Sequence, residues 1–223
     1  NESQRLWAGG RRLWRTDNAA VSWSAASRNP LGSGKVSALA VAPGTSQEVV
    51  VGTTEGFIYR SSAALDANGS SNWQGTRPRH GFVSSLAYDP LQPGVVYATY
   101  AGFGGQHVWR SEDRGATWEA IDGSGASAIP DIPVHSLVVD PGSSERLYIG
   151  TDLGVFTTWD GGQTWAVENT GFANSVTEWL ALGEDEEGAP LLFAFTHGRG
   201  AWRVSLDPTL AAPPRATGRR MPQ

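Results

Sequence analysis

The chain has 223 residues and a net charge of −5, from 17 Lys and Arg against 22 Asp and Glu, which leaves no basic footprint for nucleic acid or an anionic membrane. Its 28 Gly, 13 Pro and 10 Trp favour a turn-rich all-β fold, and no apolar run is long enough to span a bilayer. Because Cys is absent, disulfides and thiol chemistry are excluded.

Short alternating or β-branched runs, separated by turn residues, follow one another along the chain. Two strands at the start flank the Gly9–Gly10 turn, and the first complete unit then has strands at Val36–Val41, Glu48–Thr53 and Phe57–Ser61. The same order of strands recurs in three later copies. Their predicted strands are Val83–Tyr88, Val95–Tyr100, His107–Ser111, Val134–Val139, Leu147–Thr151, Val155–Thr158, Val176–Leu182, Leu191–Thr196 and Ala201–Ser205.

An octapeptide rich in turn residues closes several of these units. It occurs as SEDRGATW at Ser111–Trp118 and as TWDGGQTW at Thr158–Trp165. A degenerate copy, TDNAAVSW, lies at Thr16–Trp23 and is called the worn copy below. A fourth copy, lengthened by an insertion, ends at Trp73. The shared positions of the two close copies are Ser111, Asp113, Gly115, Thr117 and Trp118, and Thr158, Asp160, Gly162, Thr164 and Trp165. The four terminal tryptophans are spaced by 50, 45 and 47 residues, which is typical of a supersecondary unit of about four strands.

Each position of the octapeptide has a physical reason. The aspartate accepts hydrogen bonds from backbone N–H groups, and the glycine takes a left-handed conformation without steric cost. The tryptophan opens the returning strand and covers the core beneath it. Burying an indole contributes more free energy than an exposed charged hydrogen bond, so Trp118 is expected to matter more to stability than Asp113.

The pattern Ser/Thr-x-Asp-x-Gly-x-Thr-Trp resembles the Asp-box, or BNR repeat, of the sialidase-like β-propeller superfamily. That superfamily includes sortilin-type receptors, xyloglucanases and the photosystem II assembly-factor propeller. The resemblance implies an all-β propeller of four-stranded antiparallel blades. It also implies that the box is a structural turn on the face away from the ligand site, and that the protein is extracytoplasmic.

The repeats give the chain about five blades, the first without its innermost strand and the last without its outermost, which makes about 18 strands. A closed five-bladed ring and part of a larger propeller both fit this count. Residues 1–206 are predicted to form the propeller, and residues 207–223, rich in Pro, Ala and Arg, a tail or linker. Because the chain begins with Asn1 and shows no signal peptide, it is expected to be a processed protein or a piece of a longer one.

Propeller topology separates two faces. The boxes lie on one side, and the turns between second and third strands lie on the other, together with the loops that join blades. The candidates for ligand binding on this second face are Glu55, His80, Asp152, His197 and Arg199. Its other loop residues include Ala101–Gln106, Arg77, Arg79, Asp131 and Asn174, whereas His135 on an inner strand is predicted to be structural.

The sequence favours a non-catalytic binding or assembly module that presents this face to a protein or glycan partner, with other blades of a larger precursor as further partners. The alternative is a glycoside hydrolase or sialidase-like enzyme, or a fragment of one. Arg15, Arg60, Arg110 and Arg203 share one repeat position, which does not resemble a sialidase arginine triad. Glycosidases need two carboxyl groups at defined separations, and the candidates are Glu55, Asp131, Asp152 and Glu178. No pattern for a cofactor or a metal is present.

Overall fold

The computed structural model describes residues 4–168 and 175–206, in which eighteen strands form five antiparallel sheets. The first sheet has β1 (Leu6–Gly9), β2 (Leu13–Thr16) and β3 (Ser24–Ala25); the second has β4 (Val36–Val41), β5 (Val49–Thr53), β6 (Ile58–Ser61) and β7 (Gln74–Thr76). The third has β8 (Val83–Tyr88), β9 (Val96–Tyr100), β10 (Val108–Ser111) and β11 (Glu119–Ala120); the fourth has β12 (Val134–Asp140), β13 (Ser143–Thr151), β14 (Gly154–Thr158) and β15 (Ala166–Glu168). The fifth has β16 (Thr177–Glu184), β17 (Pro190–Thr196) and β18 (Gly200–Ser205).

The sheets have three, four, four, four and three strands, which confirms the predicted blades of a β-propeller. Each sheet packs against the next one in the chain, through pairs of inner strands such as β4 with β8 and β12 with β16. Among the described residues no comparable packing joins the first sheet to the fifth. The blades therefore form an open arc, which fits part of a larger propeller rather than a closed five-bladed ring. The predicted tail at 207–223 lies outside the described residues.

The hydrophobic core lies between adjacent sheets, as the alternation of the strands requires. Tyr97 of the third blade packs with Phe156 and Trp165 of the fourth, and Tyr148 of the fourth packs with Leu192 of the fifth. Such packing brings the backbones of neighbouring blades close together. A Cβ atom on Gly52 would lie 2.4 Å from a side-chain carbon of the next blade, so only glycine fits there.

Every inner strand carries one extra residue near its start, at a β-bulge. The register shifts between the first and third residues of β4, β8, β12 and β16, which leaves the second residue of each strand as the inserted one: Ser37, Ser84, His135 and Glu178. A bulge re-aims its side chain out of the regular alternation of a strand. These four residues are therefore equivalent positions of the repeat.

Both close copies of the octapeptide form the same hydrogen-bonded turn. In the third blade, Ser111 Oγ donates to Asp113 Oδ1 at 2.9 Å, and Thr117 donates to the same carboxylate from both its N–H and its hydroxyl. Slight burial raises the pKa of Asp113, but the hydrogen bonds from Thr117, Ser111 and Ala116 outweigh it and lower the pKa to about 2. The worn copy closes in the same way, with Asn18 in place of the aspartate.

Candidate functional site: the loop face

The turns between second and third strands and the loops between blades form one side of the arc, which we call the loop face. The side that carries the octapeptide turns is called the box face. All four histidines of the chain, His80, His107, His135 and His197, belong to the loop face. The repeat thus places its structural turns on one face and its titratable imidazoles on the other.

The loop at 101–106 in the third blade is fastened by an arginine from the blade-crossing loop. Arg79 Nη1 donates to the carbonyl of Gln106 at 2.7 Å, and Nη2 donates to the carbonyls of Phe103 and Gly104 at 3.3 and 3.1 Å. The guanidinium also lies 5.3 Å from the centre of the Tyr100 ring. Arg79 therefore acts as a rigid internal clamp, which its position in the sequence did not reveal.

Asp131 fastens the same loop from the other side. Its Oδ1 accepts a hydrogen bond from the N–H of Gly104 at 2.7 Å and lies 3.2 Å from Nε2 of the buried His107. His107 Nδ1 lies 3.1 Å from Asp122, whose carboxylate also accepts the N–H groups of His107 and Val108. The sequence offered Asp131 as a possible catalytic carboxylate, but the structure places it in this network.

The fastened loop presents an aromatic side chain to solvent. Phe103 is 68% exposed, although four hydrogen bonds with Arg79 and Asp131 hold its loop in place. Two further exposed apolar residues belong to the loop face: Phe82, whose carbonyl accepts the N–H of Ala101 at the start of the Phe103 loop, and Leu153 in the turn between the second and third strands of the next blade. Large apolar side chains that a rigid loop holds in water are typical of protein-binding surfaces.

The fourth and fifth blades each carry a pair of a histidine and a carboxylate at equivalent positions. His135 at the bulge of β12 lies with Nε2 2.7 Å from Oδ1 of Asp152 in the following turn. In the fifth blade the partners are exchanged: Glu178 occupies the bulge and His197 the turn, with Oε1 and Nδ1 3.1 Å apart. Each of the two predicted ligand-binding residues therefore has a partner from an inner strand: Asp152 pairs with His135, and His197 pairs with Glu178.

The second and third blades show what the bulge position does in the absence of such a pair. Ser37 Oγ donates to the carbonyl of Val83 at 2.7 Å, and Ser84 Oγ donates to the carbonyl of Val134 at 2.6 Å. Both hydroxyls therefore join one blade to the next. His135 and Glu178 stand where the other two blades have this serine. Aligning the starts of the four inner strands in the sequence would have revealed the difference.

The remaining predicted residues of the loop face lie apart from these pairs. Arg199 is exposed at the tip of the turn that follows His197, and His80 is exposed beside the clamp. Glu55 lines a separate cleft of about 620 Å³ at the first and second blades, together with Arg11 and Lys35. Asn174 lies outside the described residues.

A larger cleft, of about 740 Å³, opens on the box face between the third and fourth blades. Its charged lining consists of Arg110, Glu119, Glu145 and Asp160. Arg110 Nη1 lies 2.8 Å from Glu112 and 3.7 Å from Glu119, so its charge is already paired. The part of the chain that the structure describes has no cluster of His, Asp and Glu that could hold a metal ion, and no helix long and apolar enough to cross a membrane.

No protein-family model and no curated protein matches the chain, whereas many solved structures do. The GH74 xyloglucanase from Xanthomonas campestris is 20% identical, with a TM-score of 0.64 over 96% of this chain and 37% of its own. The extracellular domain of a hybrid two-component system protein from B. thetaiotaomicron is 18% identical, with a TM-score of 0.62 over 91% of this chain and 26% of its own. YCF48 bound to D1 peptide is 18% identical, with a TM-score of 0.57 over 91% of this chain and 64% of its own.

These likenesses establish the class of fold. The chain is a β-propeller arc, similar in its blades both to glycoside hydrolases and to a peptide-binding protein. It spans only 37% of the length of the xyloglucanase and 26% of that of the extracellular domain.

Proposed function

We propose that the chain is a non-catalytic binding module that presents its loop face to a protein partner outside the cytoplasm. The observation that carries the proposal is Phe103, 68% exposed on a loop that Arg79 and Asp131 fasten. A loop that is already ordered loses little conformational entropy on binding, so its aromatic tip is well suited to anchor a partner.

Other residues of the loop face support a protein as the partner. Phe82 and Leu153 are further exposed apolar side chains of this face, and His80 and the His135–Asp152 pair are polar groups on it. Protein interfaces combine apolar anchors with polar groups of this kind. YCF48, which has similar blades, was solved with a bound peptide, and the extracellular domain from B. thetaiotaomicron supports the proposed location.

The test is a peptide-display selection on the immobilised chain, followed by affinity measurements on single enriched peptides. We expect Phe103→Ser to weaken binding by at least ~30-fold, which corresponds to the ~2 kcal/mol of an interface hot spot. The matched control is Leu91→Ser, because Leu91 is 52% exposed but lies on the box face. Peptides that bind Phe103→Ser as tightly as the original chain, or that are lost with Leu91→Ser, would contradict the proposal.

Arg79→Gln separates the clamp from the anchor. It removes the guanidinium that holds the carbonyls of Phe103, Gly104 and Gln106 but leaves the aromatic ring in place. We expect weaker peptide binding, carried mainly by slower association, because the loop must order as the peptide binds. An unchanged association rate would show that the clamp does not preorganise the site.

A glycoside hydrolase is the second candidate, and one observation favours it. Asp152 and Glu178 place two carboxylates on the loop-face ends of neighbouring blades, each within 3.1 Å of a histidine ring nitrogen. Turnover of xyloglucan oligosaccharides or aryl glycosides that disappears in both Asp152→Asn and Glu178→Gln would establish this activity. The absence of turnover in the original chain would leave the binding module as the function.

A further inference from the structure

The tryptophans that end the octapeptides fasten each blade to the one before it. Trp73 of the second blade donates its indole N–H to the carbonyl of Ala26 at 3.0 Å, just after the last strand of the first blade. Trp165 of the fourth blade donates to the carbonyl of Ile121 at 2.8 Å, just after the last strand of the third. Trp118 of the third blade donates to Thr76 Oγ1 of the second at 3.1 Å. We call the packing surface between two adjacent blades a seam. Three successive seams are therefore built in the same way.

Trp23 holds the same position in the first blade but has no blade before it in the arc. It is 39% exposed, against 7% for Trp73 and 5% for Trp165. The turn that carries it is well formed, since Asn18 Oδ1 accepts hydrogen bonds from Thr16 and Ser22. Its exposure therefore reflects a missing neighbour rather than a frayed turn.

Further apolar side chains are exposed on the same side of the first sheet. Trp14 on β2 is 39% exposed and Leu6 on β1 is 46% exposed. Tyr59 and Phe156, which occupy the repeat position of Trp14, are buried in cores shared with the preceding blade. That position varies among the blades, because Trp109 is partly buried and Trp202 is 37% exposed. The first sheet thus presents an apolar face beside Trp23.

The first sheet is also an incomplete blade, because within the residues that the structure describes it lacks an innermost strand beside β1. In sequence and register, Leu6–Gly9 corresponds to Leu147–Gly150 on β13 of the fourth blade. β13 pairs with the inner strand β12, whereas β1 is an edge strand within the described part of the chain. An exposed edge strand is a template for pairing with another strand.

We propose that the first sheet is the receiving half of a seam and binds a further propeller blade. The outermost strand of that blade supplies the acceptor for the Trp23 indole, and an inner strand that follows it pairs with β1. The proposal continues three existing seams and is independent of any activity of the loop face. A second copy of this chain is a poorer occupant, because its fifth sheet has no fourth strand among the described residues. The similar propellers extend well beyond the match, since the chain covers 64% of YCF48.

The experiment extends the full chain with its own blades. A copy of residues 36–141, which holds two complete blades and the inner strand β12, is fused directly ahead of Asn1, so that the copied strand meets β1 in the register of the fourth blade. Trp23→Ser is then introduced into the original and the extended chains. The control in both is Val21→Ser, because Val21 is 84% exposed at the tip of the same turn.

We expect Trp23→Ser to change the folded-to-unfolded ratio by less than about tenfold in the original chain and by more than about a hundredfold in the extended one, with Val21→Ser neutral in both. Equal effects in the two chains, with the added blades folded by circular dichroism, would overturn the proposal. A fused segment that stays unfolded would also overturn it, because a receiving face should order a blade. Sedimentation velocity supplies another test: an original chain that dimerises through Trp23 would assign the face to a second copy.

Discussion

Replacing Trp165 by alanine tests whether the octapeptide stabilises the fold by packing. The indole is 5% exposed, lies in the core between the third and fourth blades, and donates to the carbonyl of Ile121. Burial of ~150–250 Å² at ~25 cal/mol per Å² corresponds to ~4–6 kcal/mol. Because the cavity relaxes only in part, we expect Trp165→Ala to lower the free energy of unfolding by ~3–5 kcal/mol.

The matched change in the same turn is Asp160→Ala. Asp160 accepts hydrogen bonds from the hydroxyl of Thr158 and from both the N–H and the hydroxyl of Thr164, at 2.7 to 2.9 Å. Thr164 is exposed, so water can replace part of what is lost. We therefore expect a cost of only ~1–2 kcal/mol.

Equilibrium unfolding in guanidinium chloride, followed in parallel by circular dichroism and fluorescence, measures both variants. Coincident transitions from the two probes are needed before the midpoints are compared. Packing predicts a lower midpoint for Trp165→Ala than for Asp160→Ala, with Trp118→Ala between them because Trp118 is only partly buried. If Asp160→Ala were the more damaged variant, the turn would act mainly as a polar network and the packing argument would be refuted.

Three further changes probe separate parts of the molecule. Ala20 has a φ of 70° in the worn turn, so Ala20→Gly should stabilise the chain by ~1 kcal/mol in thermal unfolding, whereas Ala40→Gly in β4 should destabilise it. The pKa of Asp113, about 2 in the folded state against an ordinary 3.8, implies stabilisation that is present above pH 3.8 and lost as the pH falls through about 2. The difference in free energy of unfolding between the original chain and Asp113→Asn should therefore shrink as the pH falls from 3.8 to about 2. Arg79→Gln should speed hydrogen exchange in the 101–106 loop while leaving the unfolding midpoint nearly unchanged.

The repeat explains why the fold could be predicted from sequence. Alternating runs such as VSALAV at Val36–Val41 and VSSLAY at Val83–Tyr88 specify strands locally, and the octapeptides mark where each blade turns. Strand number and sheet composition follow from counting these signals. Whether the blades close into a ring does not follow from such counting. Closure depends on whether the first and fifth sheets meet, and no local pattern encodes that contact.

The site was only partly predictable, for a related reason. Topology alone placed Asp152 and His197 on the loop face, since turns between second and third strands lie together. Their partners His135 and Glu178 come from bulges, whose register is set by pairing across the sheet. The clamp formed by Arg79 was missed because it bonds carbonyl groups, which no side-chain pattern in the sequence reveals.

The two faces of the arc are under different structural constraints, and this explains where histidine and carboxylate side chains are found. On the box face the tryptophan, the aspartate or asparagine and the hydroxyl at the start of the turn each satisfy a packing or hydrogen-bonding demand, so a change costs stability. At the bulge positions of the loop face a serine hydroxyl joins two blades in the second and third units, yet His135 and Glu178 replace it while the strand pairing persists. In the fourth blade the adjacent Ser136 makes the bond between blades instead, since its Oγ accepts the N–H of Leu180 in the fifth blade. The bulge position is thereby free to carry a charged or imidazole side chain. The loop-face ends of the fourth and fifth blades are therefore where side chains can change without loss of the fold.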